Sequence, residues 1–330
     1  MRHPNRDHEL VVVACLLFTA ACEPDFRVCD TPRAALSRLP ARLSETGLYA
    51  DITRDVLAEG IQSFTPRFAL WSDGATKRRF VALPDDTQID TRDMDDWQFP
   101  EGTKLWKEFT RDGIRVETRL EQKLGPAASD WGLIAYVWND EQTEAFAATD
   151  GQQNVLGTAH DVPRAADCLG CHAGRKSRVL GFSALQLAAA TESELSLDTL
   201  LAERRLSDPP ATAIDVPGDP VQVAGLGYLH ANCSHCHNKS RPDSEGSRCY
   251  EPNKSFDFAL RVNELRSVAS TATVRTAVGG VIRPERVDHS KVLEHMRVRD
   301  PDLPSMPPLG TEVVDSAGIE AVRAFIQSLR

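Results

Sequence analysis

Two pentapeptides of the form Cys-x-x-Cys-His constrain this 330-residue chain more than any other feature. The first is CLGCH at residues 168–172, and the second is CSHCH at residues 233–237. Two thiols separated by two residues in a helical turn can each add to a vinyl group of a porphyrin, and the following histidine then lies beneath the ring. The motifs therefore predict two covalently bound c-type haems. The attachment cysteines are Cys168, Cys171, Cys233 and Cys236, and the iron ligands are His172 and His237.

Three other uses of paired cysteines remain open on the sequence alone. A zinc ion would take the four cysteines as a tetrahedral set, but it does not require a histidine at the same place in both motifs. A dithiol oxidoreductase would carry one Cys-x-x-Cys after a strand of a βαβ unit, and the sequence shows no such unit. A disulfide within each motif would close a very small loop and would contribute little stability. The repeated histidine favours haem, and His235, inside the second motif, is expected to point elsewhere.

The second haem also has a predicted distal ligand. Met306 lies in the proline-bracketed segment LPSMPPLGT, downstream of the second motif and ahead of a final helix, which resembles class I cytochromes c. In that family the methionine thioether is the distal ligand, and His/Met ligation raises the reduction potential. The first haem has either an open sixth position or a ligand among six candidates, namely His160, His230, His289, His295, Met94 and Met296.

The N-terminus reads as a signal peptide over residues 1–21. A start that contains Arg2 and Arg6 precedes an apolar run over residues 10–21, which is too short to cross a bilayer as an ordinary helix. The stretch FTAAC resembles a bacterial lipobox, which would make Cys22 a lipidated N-terminus. We therefore expect the protein in the periplasm or at the outer membrane, with a possible lipid anchor at Cys22 as its only membrane contact.

The formal net charge of −10 argues against a nucleic-acid partner, which would need a basic face to neutralise phosphates. A redox partner protein with a basic patch is the better electrostatic match. Outside the two motifs, Cys29 and Cys249 form an even remainder in a compartment that would oxidise them. A disulfide between these two cysteines is a hypothesis.

The order of hydrophobic patterns predicts an α+β chain in which an antiparallel β-rich domain precedes α-helical, cytochrome c-like haem regions. The strand signals are RRFVALP, GIRVETRLEQKLG and DWGLIAYVWND, and all five tryptophans fall in the same region. The predicted divisions are 22–63 (anchor or linker and helical entry), 64–160 (β-rich domain), 161–222 (first haem segment and proline-rich linker) and 223–330 (class I-like cytochrome c domain).

Smaller features of the chain give three helix predictions and one loop prediction. The helices are expected over residues 181–195, 223–232 and 315–330, the last from an amphipathic pattern capped by Asp315 or Ser316. The acidic stretch over residues 84–96 lacks the glycine and terminal glutamate of a calcium-binding EF-hand loop. A solvated hairpin tip is therefore expected there.

Seven stretches together resemble a family of exported bacterial dihaem c-type cytochromes whose biological role is poorly assigned. They are LWSDGATKRRFVALP, WQFPEGTKLWKEF, ETRLEQ, AYVWNDEQTEA, CLGCH, LHANCSHCH and MPPLGT. The resemblance implies a β-rich region joined to a small class I-like cytochrome domain, and it implies no substrate. The expected function is electron transfer between redox partners of the envelope, with a carrier favoured over a catalyst. The alternatives are a peroxidase-like dihaem oxidoreductase with an open first haem, and a binding module built on the β domain.

Overall fold

The computed structural model describes residues 33–188, 194–242, 255–300, 303, 305–308 and 310–330. The predicted signal peptide, Cys22 and the Cys29–Cys249 pair lie outside the described residues. The strands are β1 (Tyr49–Asp51), β2 (Val56–Leu57), β3 (Gln62–Ser63), β4 (Thr76–Ala82), β5 (Lys104–Arg111), β6 (Ile114–Lys123), β7 (Trp131–Trp138) and β8 (Ala145–Ala147). The α-helices are α1 (Arg33–Leu36), α2 (Cys168–His172), α3 (Ala184–Leu187), α4 (Leu197–Ala202), α5 (Pro220–Cys233), α6 (Ala272–Ala277), α7 (Lys291–Arg297) and α8 (Ser316–Gln327). Within the described part of the chain, none of these helices has the length and apolarity to span a bilayer.

A six-stranded antiparallel sheet, in the order β3-β4-β5-β6-β7-β8, dominates the N-terminal half. Each strand pairs with its neighbours in sequence, so the sheet is a meander, and β1 and β2 form a separate small hairpin. The three quoted strand signals coincide with β4, β6 and β7. The coarse prediction of a mixed chain with an antiparallel sheet and several helices is therefore confirmed.

The alternation of residues along these strands gives the sheet two different faces. On the outer face, the cross-strand row Phe80, Trp106, Leu120 and Ile134 is buried against the N-terminal segment that contains Leu43. On the inner face, the adjacent row is Arg79, Lys107 and Arg119, followed by Ala135. The inner face therefore presents a line of cations, and it is this face that lies toward the two Cys-x-x-Cys-His motifs.

The N-terminal entry segment is less helical than predicted. It contains α1, the 3₁₀ turns Leu43–Thr46 and Ile52–Arg54, and the β1–β2 hairpin. The helical pattern consists of Leu36, Leu39, Leu43 and Leu48, and Pro40 interrupts it. Gly47 then ends the first 3₁₀ turn in a left-handed conformation at φ 86°. Leu43 and Leu48 are still buried in the core, although they belong to turns and loop rather than to one continuous helix.

The helices of the C-terminal half were predicted with unequal success. Helix α8 matches its predicted range, and Asp315 caps it by accepting from the amide of Gly318 at 2.9 Å. Helix α5 begins earlier than predicted, because Asp219 caps it and Pro220 occupies its first turn. The helix expected over residues 181–195 is described only as the four residues of α3 and the turn that follows. Helices α5 and α8 cross closely, since a Cβ on Gly225 would lie 2.2 Å from Phe325 Cβ.

The acidic stretch over residues 84–96 is not simply a solvated tip. The carboxylate of Asp96 accepts from the amides of Lys176 and Ser177 at 3.0 and 3.2 Å, just after the first motif. The carboxylate of Asp95 accepts from the amide of Val262 at 3.0 Å. The end of this loop is therefore bonded to the chain just after the first motif and to the backbone at Val262, a role that its composition alone does not reveal.

Candidate functional site

The first motif forms the short helix α2, which follows a 3₁₀ turn over Ala165–Asp167. The turn is closed by Asp167, whose carboxylate accepts from the amide of Arg164 at 3.1 Å and from its guanidinium at 2.8 Å. The helical turn places both cysteines and the histidine of the motif along one wall of a single cavity. Two thioether bonds and one imidazole ligand to a haem would use these three side chains.

The ring of His172 is held in one orientation by the backbone. Its Nδ1 lies 2.6 Å from the carbonyl oxygen of Arg178, so Nδ1 carries the proton and donates. Burial lowers the pKa of His172, which keeps the imidazole neutral, as metal ligation requires. The lone pair of Nε2 is then the one available to a metal, with the Nδ1 bond fixing the tautomer.

The second motif continues the last turn of α5. The amides of Cys236 and His237 both donate to the carbonyl of Cys233, at 3.2 and 2.8 Å, so the backbone stays helical past the end of the helix. The His237 ring stacks on Phe256 with centroids 4.6 Å apart, and Phe258 meets it edge-on at 6.1 Å. The second imidazole is thus oriented within an aromatic wall.

The two motifs pack directly against each other. The Sγ atom of Cys236 lies 3.7 Å from the carbonyl oxygen of Gly170, and Asn238 Nδ2 donates to the carbonyl of Gly174 at 3.3 Å. At Gly174 only a glycine fits, because a Cβ there would lie 1.6 Å from the carbonyl oxygen of His235. Two segments far apart in sequence therefore form one site.

His235 lies at the centre of this contact, and the prediction that it points elsewhere is wrong. It is 6% exposed, and the ligand atoms of Cys171, His235 and Cys236 all lie within 4.8 Å of one another. Nothing within the second motif indicates this position, since it depends on the approach of α2. The position of His235 follows from a tertiary contact, which a single sequence does not reveal.

The same three residues form a Cys₂His group that could bind a metal ion such as zinc. Such an ion would use one cysteine from each motif and would leave Cys168 and Cys233 without a role. It would also leave unexplained the cavities beside His172 and His237. All four motif cysteines are free thiols in the structure.

The larger of these cavities, about 270 Å³, adjoins the second motif. Cys233, Cys236, His237 and Met306 all line it, and most of the remaining lining is apolar. The amide of Met306 donates to the carbonyl of His295 at 3.0 Å. This bond ties the methionine loop, the segment around Met306 within 303–311, to the end of α7. The structure therefore brings the predicted distal ligand to the same cavity as its predicted haem site.

The cavity at the first motif is smaller, about 100 Å³. It is lined by Cys168, Cys171 and His172, by Lys107 and Arg119 of the inner face, and by Pro307 and Pro308 of the methionine loop. The donor set fits a c-type haem at both motifs, with the more open fit at the second. Pro307 and Pro308, which follow Met306, form one side of the cavity at the first motif.

None of the six candidate distal ligands of the first haem lines this smaller cavity among the described residues. His295 and Met296 line the other cavity, His289 is exposed, and Met94 packs against the main core. His160 Nε2 lies 2.8 Å from the carboxylate of Glu117, and His230 Nδ1 accepts from the amide of Leu260 at 3.1 Å. His172 and His235 are the imidazoles that the described lining contains, and it includes no methionine.

Comparisons with family models, with curated proteins and with solved structures gave no match to this chain.

Proposed function

We propose that this protein is an exported dihaem c-type cytochrome that carries electrons between redox partners of the bacterial envelope. The observation that carries the proposal is the direct packing of two Cys-x-x-Cys-His motifs, each with its histidine and cysteines on the wall of a cavity. A bound haem would supply an iron that gains and loses one electron. A motif pair in contact would hold two such groups close enough for electrons to pass between them.

The residues of the chain would have distinct tasks. Cys168 and Cys171 would hold one haem, and Cys233 and Cys236 the other, while His172 and His237 would be the proximal ligands. Met306 would be the distal ligand at the second motif, where a sulfur ligand raises the reduction potential. The excess of acidic residues would favour a partner with a basic patch.

A peroxidase-like oxidoreductase is the second candidate. It is favoured by one observation, namely that the described lining of the first cavity combines Lys107 and Arg119 with no methionine. An iron there could keep an open position near two cations. A high-spin spectrum that responds to cyanide or peroxide would support this candidate, and a purely low-spin spectrum in both redox states would count against it.

The test is the covalent haem content of the mature protein, produced in a host that attaches c-type haem. We expect an intact mass that includes two haems after denaturation and acid–acetone extraction, and a haem-stained band on a gel. The double variants Cys168→Ser/Cys171→Ser and Cys233→Ser/Cys236→Ser should each lose one haem. Cys249→Ser, which changes a cysteine outside both motifs, is the matched control and should retain two.

Colourless protein without added mass would overturn the proposal. If that protein instead held about one zinc ion per chain, and lost it on Cys171→Ser or His235→Ala, the Cys₂His group would be a metal site.

A further inference from the structure

The inner face of the sheet carries a cluster of cations that the proposed electron transfer does not yet use. Lys77 and Arg79 of β4 and Lys107 of β5 line a cavity of about 50 Å³, here called the Lys77 cavity, together with Arg175 and His230. In a protein with a net charge of −10, such a concentration of cations in the interior is unexpected. Burial of a charge is costly unless a counter-charge accompanies it.

Two of these cations form no ion pair and no side-chain hydrogen bond among the described residues. Arg79 is 8% exposed, and neither its guanidinium nor Lys107 Nζ makes a hydrogen bond or lies within 4.0 Å of a carboxylate among the described residues. Lys77 Nζ donates to the carbonyl of Leu70 at 2.6 Å, which satisfies a donor without neutralising the charge. Burial, followed by repulsion from Arg79, Lys107 and Arg119, lowers the pKa of Lys77 to about 7.

Asp95 lines the same cavity and Glu194 attracts Arg79 from beyond ion-pair distance, while the other nearby carboxylates are engaged elsewhere. Glu117 binds Arg119 and His160, and the Asp96 carboxylate accepts hydrogen bonds from two backbone amides. Glu121 lies on the same face and attracts Lys107 without forming an ion pair with it, and its Oε1 lies 3.8 Å from His172 Nδ1. The cluster therefore has donors and charge available for an anion that the protein itself does not provide.

The Lys77 cavity adjoins the cavity of the first motif. Leu70, Lys107, Leu180 and His235 line both of them. In a haem, the carbons derived from the vinyl groups and the two propionates lie on opposite edges of the ring. A macrocycle attached at Cys168 and Cys171 that extended past these shared residues would bring its carboxylate edge toward the cations.

We propose that Lys77, Arg79 and Lys107 form a carboxylate-binding site for the propionates of the haem attached at the first motif. This inference rests on the proposed function, because it requires a haem at Cys168 and Cys171. The site would place positive charge beside the propionates of this haem, so its effect on the other haem would be smaller. A free carboxylate or phosphate from solution has the same chemistry and is the other source of an anion.

The test compares Lys107→Met with Lys104→Met by optical redox titration of the full-length dihaem protein. Lys104 lies on the same strand but on the outer face, where its Nζ donates to the carbonyl of Thr46 at 2.7 Å. Lys107→Met should lower the potential of one haem by about 59 mV, which is a tenfold change in its reduced-to-oxidised ratio, because a nearby cation favours the reduced form. Lys107→Arg should retain the wild-type potential, and so should Lys104→Met.

If Lys107→Met, Lys104→Met and wild type have equal reduction potentials, the inference is overturned. The proposed function would still stand in that case, provided that two haems are attached. Loss of both haems from the wild-type protein would instead be a failure of the proposed function. A wild-type potential that shifts when acetate or inorganic phosphate is added at constant ionic strength would show that the site takes a free anion, which also overturns the propionate assignment. If Lys107→Met does not fold, Arg79→Gln against Arg79→Lys gives the same comparison.

Discussion

The two motif histidines have different neighbours. His172 donates from Nδ1 to a backbone carbonyl at 2.6 Å, a bond that makes the imidazole a more basic ligand. His237 stacks on Phe256 and lines a largely apolar cavity with Met306. Greater ligand basicity stabilises the oxidised iron, whereas an apolar wall and a thioether stabilise the reduced iron. If both motifs hold a haem, these differences would give the second the higher reduction potential, and the cations beside the first motif would narrow the gap.

The ligand role of Met306 can be tested against a methionine in the same cavity. Met306→Leu should lower one reduction potential and abolish the weak far-red absorption of a sulfur–iron bond, because the thioether is lost. Met296→Leu is the matched control, since Met296 is buried in the wall of the same cavity. If Met296→Leu removes the band and Met306→Leu does not, the assignment of Met306 is incorrect.

Glu117 gives a prediction for the dependence of stability on pH. Burial alone would raise the pKa of Glu117, but Arg119 and His160 hold it below its ordinary value of 4.5. A lowered pKa contributes stability that is present above pH 4.5 and is lost as the pH falls through the folded-state value. The wild-type free energy of unfolding should therefore fall on acidification below that pH.

Glu117→Gln should remove about 2 kcal/mol at pH 7, because Arg119, whose side chain is only 26% exposed, then loses its charged partner. It should also show a weaker dependence on acid pH. Denaturant titrations at pH 7 and at lower pH measure both effects, with Glu101→Gln on the exposed surface as the control. An identical acid dependence in wild type and Glu117→Gln would rule out this explanation.

At the scale of elements, the site depends on a contact between α2 and the end of α5. Both carry a helical turn that their sequence determines locally, through capping by Asp219 for α5 and the turn at Arg164–Asp167 before α2. Their mutual approach depends on Gly174, where the backbone of the second motif occupies the space that a side chain would need.

Gly174→Ala should destabilise the protein by about 1–3 kcal/mol, because the added Cβ would meet the carbonyl of His235 at 1.6 Å and one backbone would have to move. Denaturant unfolding of the haem-loaded protein measures the change. Gly280→Ala is the control, because the nearest atom to its added Cβ is the carbonyl oxygen of Ala277 at an ordinary 3.5 Å. Equal unfolding midpoints for both variants would contradict the close approach.

The extent to which this architecture could be predicted follows the range of the interactions involved. Strand alternation and the amphipathic pattern of α8 are local, so both were read correctly. The role of His235, the binding of Asp96 to the chain after the first motif, and the cationic row across β4 to β6 arise from residues distant in sequence. Periodicity locates Arg79 and Lys107 on strands, but only the register places them side by side. The haem assignments remain predictions.

At the scale of the whole molecule, one hydrophobic cluster extends from the sheet to the C-terminus. It includes Val81 and Leu105 of the sheet as well as Leu226, Phe325 and other residues of α5 and α8. A core shared in this way couples the unfolding of the sheet to that of the helices. The described parts of the chain should therefore behave as one cooperative unit.

The haem-loaded protein should accordingly unfold in one calorimetric transition. Phe325→Ala, which removes a fully buried ring, should lower the midpoint as seen by sheet-sensitive circular dichroism and by haem absorbance alike. Two separate transitions, or a shift seen by only one probe, would show that the helical part unfolds independently of the sheet.

The two motif cavities share part of their walls, and the shared residues are Asn232, His235, Pro307 and Pro308. If each motif holds a haem, an electron on one iron would act on the other through this thin wall, where little water would weaken the Coulomb interaction. The second electron would then arrive against the field of the first. A reductive titration of the two haems would then span a wider range of potential than two independent Nernst curves. Each midpoint would describe the coupled pair rather than one iron.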